Sequence, residues 1–278
     1  MNGARARALR ARLDALLESH DPVARRAEDP VAFVHRYRDP GDQEVVGLVA
    51  ALLAFGNVTT IRQKVALVLE RLGEHPARRL ERARPSALRR RYAGFRHRVW
   101  RVEHVATLLA NAGRVRRSHG SLGALMAEGW RDTGSLRESA ARLADRLRGP
   151  DADRGLAHLV PDPRAGSACK RILLYLRWMC RPADGIDLGL WPVPASSLII
   201  PVDTHVLRIG RNLRLTERRD ASWRTAEEIT ASLRVLDPAD PVKYDFALCH
   251  LGVSRACPSR RDRELCERCV LRRAGRHW

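Results

Sequence analysis

Apolar residues recur three and four apart along almost the whole chain, which is the spacing that gives a helix one buried stripe. Residues 45–55 (VVGLVAALLAF) form a nearly all-apolar helix, with Asp42 as the expected N-cap, and so belong at the centre of a core. Residues 61–72 place Ile61, Val65, Leu69 and Leu72 on one stripe, and residues 99–112 and 134–148 follow the same period. One stretch looks extended, Leu198-Ile199-Ile200-Pro201-Val202, and its proline argues against a central strand. The fold class expected is all-α. At 278 residues the chain can bury one sizeable core or two lobes that share a boundary. Breaks fall at Asp39–Asp42, Gly149–Asp151 and the Pro- and Gly-rich stretch from Arg181 to Ser197.

Charge narrows the choice of partner. The chain carries 51 Lys+Arg against 32 Asp+Glu, a formal +19, and a surplus of that size points to a polyanion such as nucleic acid. Arg78 to Arg101 interleaves many arginines with Tyr92, Phe95 and Trp100. That composition fits a nucleic-acid surface and equally a solvated helical face over core aromatics. Only Lys64, Lys170 and Lys243 are lysine; the other 48 basic residues are arginine. A position that stays lysine in such a chain is one where the amine itself can matter, because a guanidinium cannot lose a proton and attack carbon. No apolar run is long enough to cross a membrane, and the first twenty residues lack the continuous apolar stretch of a secretory signal. A monomeric, cytoplasmic, nucleoid-associated protein is expected, with its six cysteines as thiols or metal ligands.

Three features carry the chemistry. The first is Arg164-Ala165-Gly166-Ser167-Ala168-Cys169-Lys170, a tight turn of small residues before an apolar helix from Ile172 to Cys180. Such a turn presents backbone N–H groups to a phosphate. It resembles the second half of a helix-hairpin-helix, with Gly166 and Lys170 at matching places and Ala168 where the usual turn has its second glycine. The second is Ile200 to Ile209 (IPVDTHVLRI), close to the Val-Asp-Thr-His-Val-x-Arg signature of the endonuclease III branch of DNA glycosylases. Asp203 is also a ready N-cap for a helix starting at Thr204. The third is the 33-residue separation of Lys170 and Asp203, similar to the archaeal 8-oxoguanine glycosylase arrangement and lengthened by the insert Pro182–Ser197. The segment from Ser167 to Val253, with CKRILLYLRWM, GIDLGLW and KYDFALCHLGV, also looks like an uncharacterised bacterial family distantly related to these glycosylases.

The resemblance implies a two-lobed helix-hairpin-helix glycosylase-like fold with a cleft between lobes. One lobe would span 45–200 and the other 1–44 plus 201–278. It implies Lys170 and Asp203 as the catalytic pair of a base-excision glycosylase acting on double-stranded DNA with a damaged base, with a further lyase step through a Lys170 Schiff base. A lysine nucleophile requires a lowered pKa, for which burial, a helix N-terminus and Arg171 are the expected causes. The alternative for Lys170 is a phosphate contact. Gly166, Ser167, Ala168, Arg171, Asn57, His205 and Lys243 are the expected DNA-binding residues. Asn57 lies near where relatives fill the gap left by a flipped base, though a turn asparagine explains it as well. Lys243 is expected in the first turn of a helix capped by Asp240. Trp178, Asp187 and Trp191 are unranked pocket candidates.

Cys249, Cys257, Cys266 and Cys269 are spaced C-x7-C-x8-C-x2-C, where endonuclease III relatives carry a [4Fe–4S] cluster with a different order of gaps. The order of preference is a cluster, then zinc, then no metal, with Cys249 as core packing if only three ligate. Cys169 and Cys180 read as small core residues. Two other functions compete: a non-catalytic, structure-specific DNA- or RNA-binding protein with a metal-stabilised C-terminus, and an iron–sulfur redox protein, which the charge disfavours.

Overall fold

An apolar run as long as residues 45–53 cannot lie on a surface, and it is buried throughout at the centre of the molecule. The computed structural model describes residues 1–19, 21–260, 262–272 and 274. Its helices are α1 (Gly3–Glu18), α2 (Pro22–Arg26), α3 (Pro40–Leu52), α4 (Val58–Leu72), α5 (Pro76–Arg82), α6 (Pro85–Arg91), α7 (Val102–His119) and α8 (Leu122–Thr133). They continue as α9 (Leu136–Arg148), α10 (Arg154–Leu159), α11 (Lys170–Cys180), α12 (Thr204–Asn212), α13 (Trp223–Arg234), α14 (Asp245–Val253) and α15 (Arg263–Arg268). Among the described residues the only strands are β1 (Arg96–His97) and β2 (Trp100–Arg101), a two-residue antiparallel ribbon turned at Arg98 and Val99. The chain is all-α. Leu198–Val202 is irregular, with Ile200 N–H donating to Thr230 Oγ1.

The central helix starts earlier than its apolar run suggests. Asp39 caps α3, accepting from Asp42 N at 3.0 Å, and Pro40 fills the first helical position, where its missing N–H costs nothing. Asp42 is therefore not the cap. It sits buried in the first turn and accepts from the backbone N–H of Ala77 at 2.8 Å, so a side chain of α3 serves the N-terminus of α5. The next acid on α3, Glu44, is also buried. It accepts from Arg116 (2.9 Å), the N–H groups of Leu122 and Gly123, and Trp191 Nε1 (2.7 Å). A buried carboxylate is tolerable only when its lone pairs are satisfied in this way.

The opposite flank of α3 positions the functional helix. Tyr175 of α11 donates to the Glu44 carbonyl at 2.9 Å, and α11 crosses α3 at Gly47. A Cβ there would meet Met179 Cε at 2.7 Å, so the two helices approach this closely only over glycine. The insert after α11 folds back along it, with Leu188 N–H on the Trp178 carbonyl and Trp191 N–H on the Met179 carbonyl, both at 2.8 Å. Asp187 and Trp191 thus brace the end of α11. The first helix reaches the C-terminal elements: Arg5 donates to Leu213 O, Arg12 to Val270 O, and Asp14 accepts from Tyr244. Buried apolar residues form one continuous cluster from Leu9 to Leu271, including Cys169 and Cys180. Among the described residues no helix is long and apolar enough to cross a membrane.

Candidate functional site

The turn before α11 needs two left-handed residues, Gly166 (φ 87°) and Cys169 (φ 45°). Glycine adopts that region freely, while at Cys169 it costs about 1–2 kcal/mol. Ala168 lies between them without positive φ, so its side chain meets no backbone strain in this turn. The loop is strapped to the start of α13. Ser167 bridges Ser222, Ala168 N–H donates to Ala221 O at 3.2 Å, and Trp223 N–H donates to Gly166 O at 2.9 Å. The Ala168 N–H expected to face a phosphate is therefore engaged within the protein, and the Ser167 hydroxyl lies 3.3 Å from Cys169 Sγ.

Lys170 opens α11, and its Nζ lies 3.1 Å from Asp203 Oδ2. The two carboxylate oxygens of Asp203 divide their work. Oδ1 caps α12, accepting from the N–H groups of His205 and Val206 at 2.9 Å each, and Oδ2 faces Lys170. Capping and charge pairing coexist in one side chain. Burial works most strongly against the Lys170 ammonium, but the charge and hydrogen bond of Asp203, together with the other acidic groups around it such as Asp245, hold the amine above its ordinary pKa. The expected lowering does not occur in this arrangement. Burial likewise opposes the Asp203 carboxylate, yet Lys170 and the Val206 N–H keep its pKa below the usual value. Both groups rest in their charged forms.

Behind this pair lies a cavity of about 810 Å³, of the size that takes a small organic ring system. Ser167, Cys169, Lys170, Arg171 and Trp178 line it from α11 and the turn before it, with Asp203 and His205 from the start of α12 beside them. Asp245, Phe246, Cys249 and His250 of α14 line it from the other side. Cys249 Sγ lies 3.8 Å from Asp203 Oδ2, and burial pushes its thiol pKa well up, so it is a neutral neighbour of the ion pair. At the rim, Phe55, Val58 and Val253 are 37%, 39% and 52% exposed, three large apolar side chains converging on one opening. The guanidinium carbons of Arg98 and Arg171 lie 5.3 and 5.7 Å from the centre of the Phe55 ring.

The floor holds a network that sequence reasoning missed. Arg177 of α11 is almost fully buried, with Nε 3.1 Å from Asp187 and Nη1 on Asp245. Its Nη2 and Asp245 Oδ1 have no hydrogen-bond partner among the described residues. Burial raises the Asp245 pKa to about 6 despite the arginine. The available signal was Arg177 itself, a cation among the apolar residues of CKRILLYLRWM.

Several expected site residues have other roles. Arg171 is buried, stacks 4.7 Å over Trp100 and donates to the carbonyls of Leu52 and His158, which ties the start of α11 to α3 and α10. Burial lowers its pKa to about 10. It is not a free phosphate contact. Asn57 caps α4, accepting from Thr59 and Thr60, while its neighbours Gly56 and Val58 line the cavity. Lys243 lies outside the cavity, paired with Asp237 (2.8 Å) and Asp14 (3.4 Å). Asp240 does not cap the helix after it: α14 starts at Asp245 with Tyr244 at the N-cap, and Asp240 binds Arg181.

The four cysteines do not assemble as one donor set. Cys249 faces Asp203, whereas Cys257 accepts from Arg208 Nη1 at 3.3 Å and has Cys266 and Cys269 as neighbours. Burial raises the Cys257 thiol pKa. Among the described residues no group of three or more His, Cys, Asp or Glu is disposed to hold a metal ion. In this arrangement the Cys249 thiol lies with Asp203 and the Cys257 thiol with Arg208.

No curated protein and no solved structure matches the chain. A family model described as "Protein of unknown function (DUF2400)" matches residues 29–254, a span that includes Lys170, Asp203 and nearly all of the cavity wall. The chain belongs to that family.

Proposed function

We propose that the protein is a DNA-binding base-excision glycosylase on a two-lobed helix-hairpin-helix scaffold, with the cavity as its base pocket. The observation that carries this reading is the Lys170–Asp203 contact of 3.1 Å on the wall of that cavity. The sequence motifs nominate both residues from segments 33 positions apart. Support for the scaffold comes from the tight turn before α11, with Arg171 donating back to the His158 carbonyl of α10, and from the bonds of α1 to residues 213, 244 and 270.

Breaking an N-glycosidic bond builds positive charge on the sugar, and a carboxylate fixed at a helix cap stabilises it without reorganising. Lys170 starts as an ammonium and so can protonate the departing base. The C1′–N bond to the base breaks, and the freed amine bonds to C1′. Ring opening then moves the second amine proton to O4′, leaving an iminium. The same ion pair favours a second reading, nucleic-acid binding without catalysis, because a salt-bridged ammonium is not a nucleophile.

Base release from a panel of duplexes with oxidised, deaminated or alkylated bases separates the two. Asp203→Asn keeps a capping oxygen for α12 but removes the charge. It is expected to slow release by about a hundredfold or more with unchanged binding to undamaged duplex. A wild type that releases no base from any duplex, or an Asp203→Asn variant as fast as the wild type, rejects the catalytic role.

A further inference from the structure

A second concave site lies on α5 and α6, away from the cavity. This groove, also about 810 Å³, is lined by Arg78, Arg79, Arg82, Arg84 and Arg91, with Glu74 as its one acidic wall residue. Arg78, Arg82 and Arg84 are exposed, and their side chains have no hydrogen-bond or ion-pair partner among the described residues, unlike Arg79, which donates to Leu72 O. Arg82 lies in the last turn of α5, where it complements the helix dipole. Arg78 and Arg84 have no such role. Arg78 and Arg82 are one helical turn apart, so both face the groove from one side of α5.

The arginine-rich segment read equally as a nucleic-acid surface or as a solvated face over core aromatics, and the placement of the rings decides what it can bind. Tyr92, Phe95 and Trp100 are all buried. The one exposed ring of the groove, the His75 imidazole, lies 3.6 Å from the Asp42 carboxylate, so no large aromatic face is offered to a base, which removes the main attraction of a single strand. The partly exposed apolar groups in the groove are Ala83 and Ala87, too small to anchor peptide side chains. What remains is a row of guanidinium forks, which match phosphate geometry. Helix α4 starts at the cavity with Val58 and ends at the groove beside Gly73. Its fifteen residues separate the two sites by about 22 Å along its axis. We propose that this groove is a second contact surface, gripping the phosphate backbone of double-stranded DNA independently of the cavity.

The test compares the wild type with a variant carrying Arg78→Gln, Arg82→Gln and Arg84→Gln, using undamaged duplex DNA over a range of salt. A control variant loses the same charge at Arg7, Arg131 and Arg219, exposed residues that line neither site. Thermal melts confirm that all three are folded. The groove variant is expected to bind at least about tenfold more weakly at low salt, with a log–log salt slope shallower by about 3. The control is expected to keep most of the wild-type slope. Equal losses in both variants, or none in either, overturn the proposal. So does tighter wild-type binding to polyglutamate, duplex RNA or a single strand than to duplex DNA, with the same groove dependence. Undamaged DNA is used throughout, so the outcome does not depend on whether any base is excised.

Discussion

Lys170→Arg is expected to lower base excision by about three orders of magnitude, roughly 4 kcal/mol in the barrier, while leaving affinity for undamaged duplex unchanged. Arginine keeps the positive charge and can still pair with Asp203, so the cavity wall and the cap of α12 persist. It cannot surrender a proton to the leaving base or form a bond to C1′. Single-turnover base release on the duplex that the wild type cleaves fastest gives the measurement. Full activity in this variant would make Lys170 a charge partner only, with water activated by Asp203 as the nucleophile.

The second large effect is on stability. Arg177 is 2% exposed and holds both Asp187 and Asp245. Arg177→Met conserves much of the volume but leaves the buried Asp245 without its cation and Asp187 with Arg181 alone. Breaking a buried pair on one side costs about 3–5 kcal/mol, which for a chain of this size lowers Tm by roughly 6 to 20 °C. Adding Asp245→Asn to Arg177→Met is expected to recover part of the loss, because one uncompensated charge is then removed. Arg263→Met provides the contrast. That arginine pairs with Glu267 in the open, with side chains 86% and 53% exposed, and its loss is expected to leave the melt unchanged. A melt of Arg177→Met within error of the wild type would show that the buried network contributes nothing net.

The helices were legible because their signal is local. The period of apolar residues finds α3, α4, α9 and α11, with ends displaced by a few positions where a cap lies outside the apolar run, as Asp39 does. Asp203 was legible for the same reason: its cap partners are two and three residues away, and its motif is continuous. What was not legible depends on partners far along the chain. Cys249 looks like one of four ligands when distance is counted in sequence, but its position on α14 turns it toward Asp203, 46 residues earlier. Lys243 looks like a surface cation until Asp14 of α1 arrives beside it. Arg171 looks like a phosphate contact until Trp100 and the Leu52 carbonyl enclose it. Glu44 and Arg177 carried almost no local signal, since a charge within an apolar helix reveals its role only when its buried partners are known.

Borohydride trapping of the wild type on lesion-bearing duplex, followed by proteolysis and mass mapping of the crosslinked peptide, tests the central claim most directly. Reduction of the iminium fixes the sugar permanently to the amine that attacked it. The account predicts a covalent protein–DNA adduct at Lys170, absent from Lys170→Arg. Base release with no adduct, or an adduct at Lys64, Lys243 or the N-terminal amine, would contradict it.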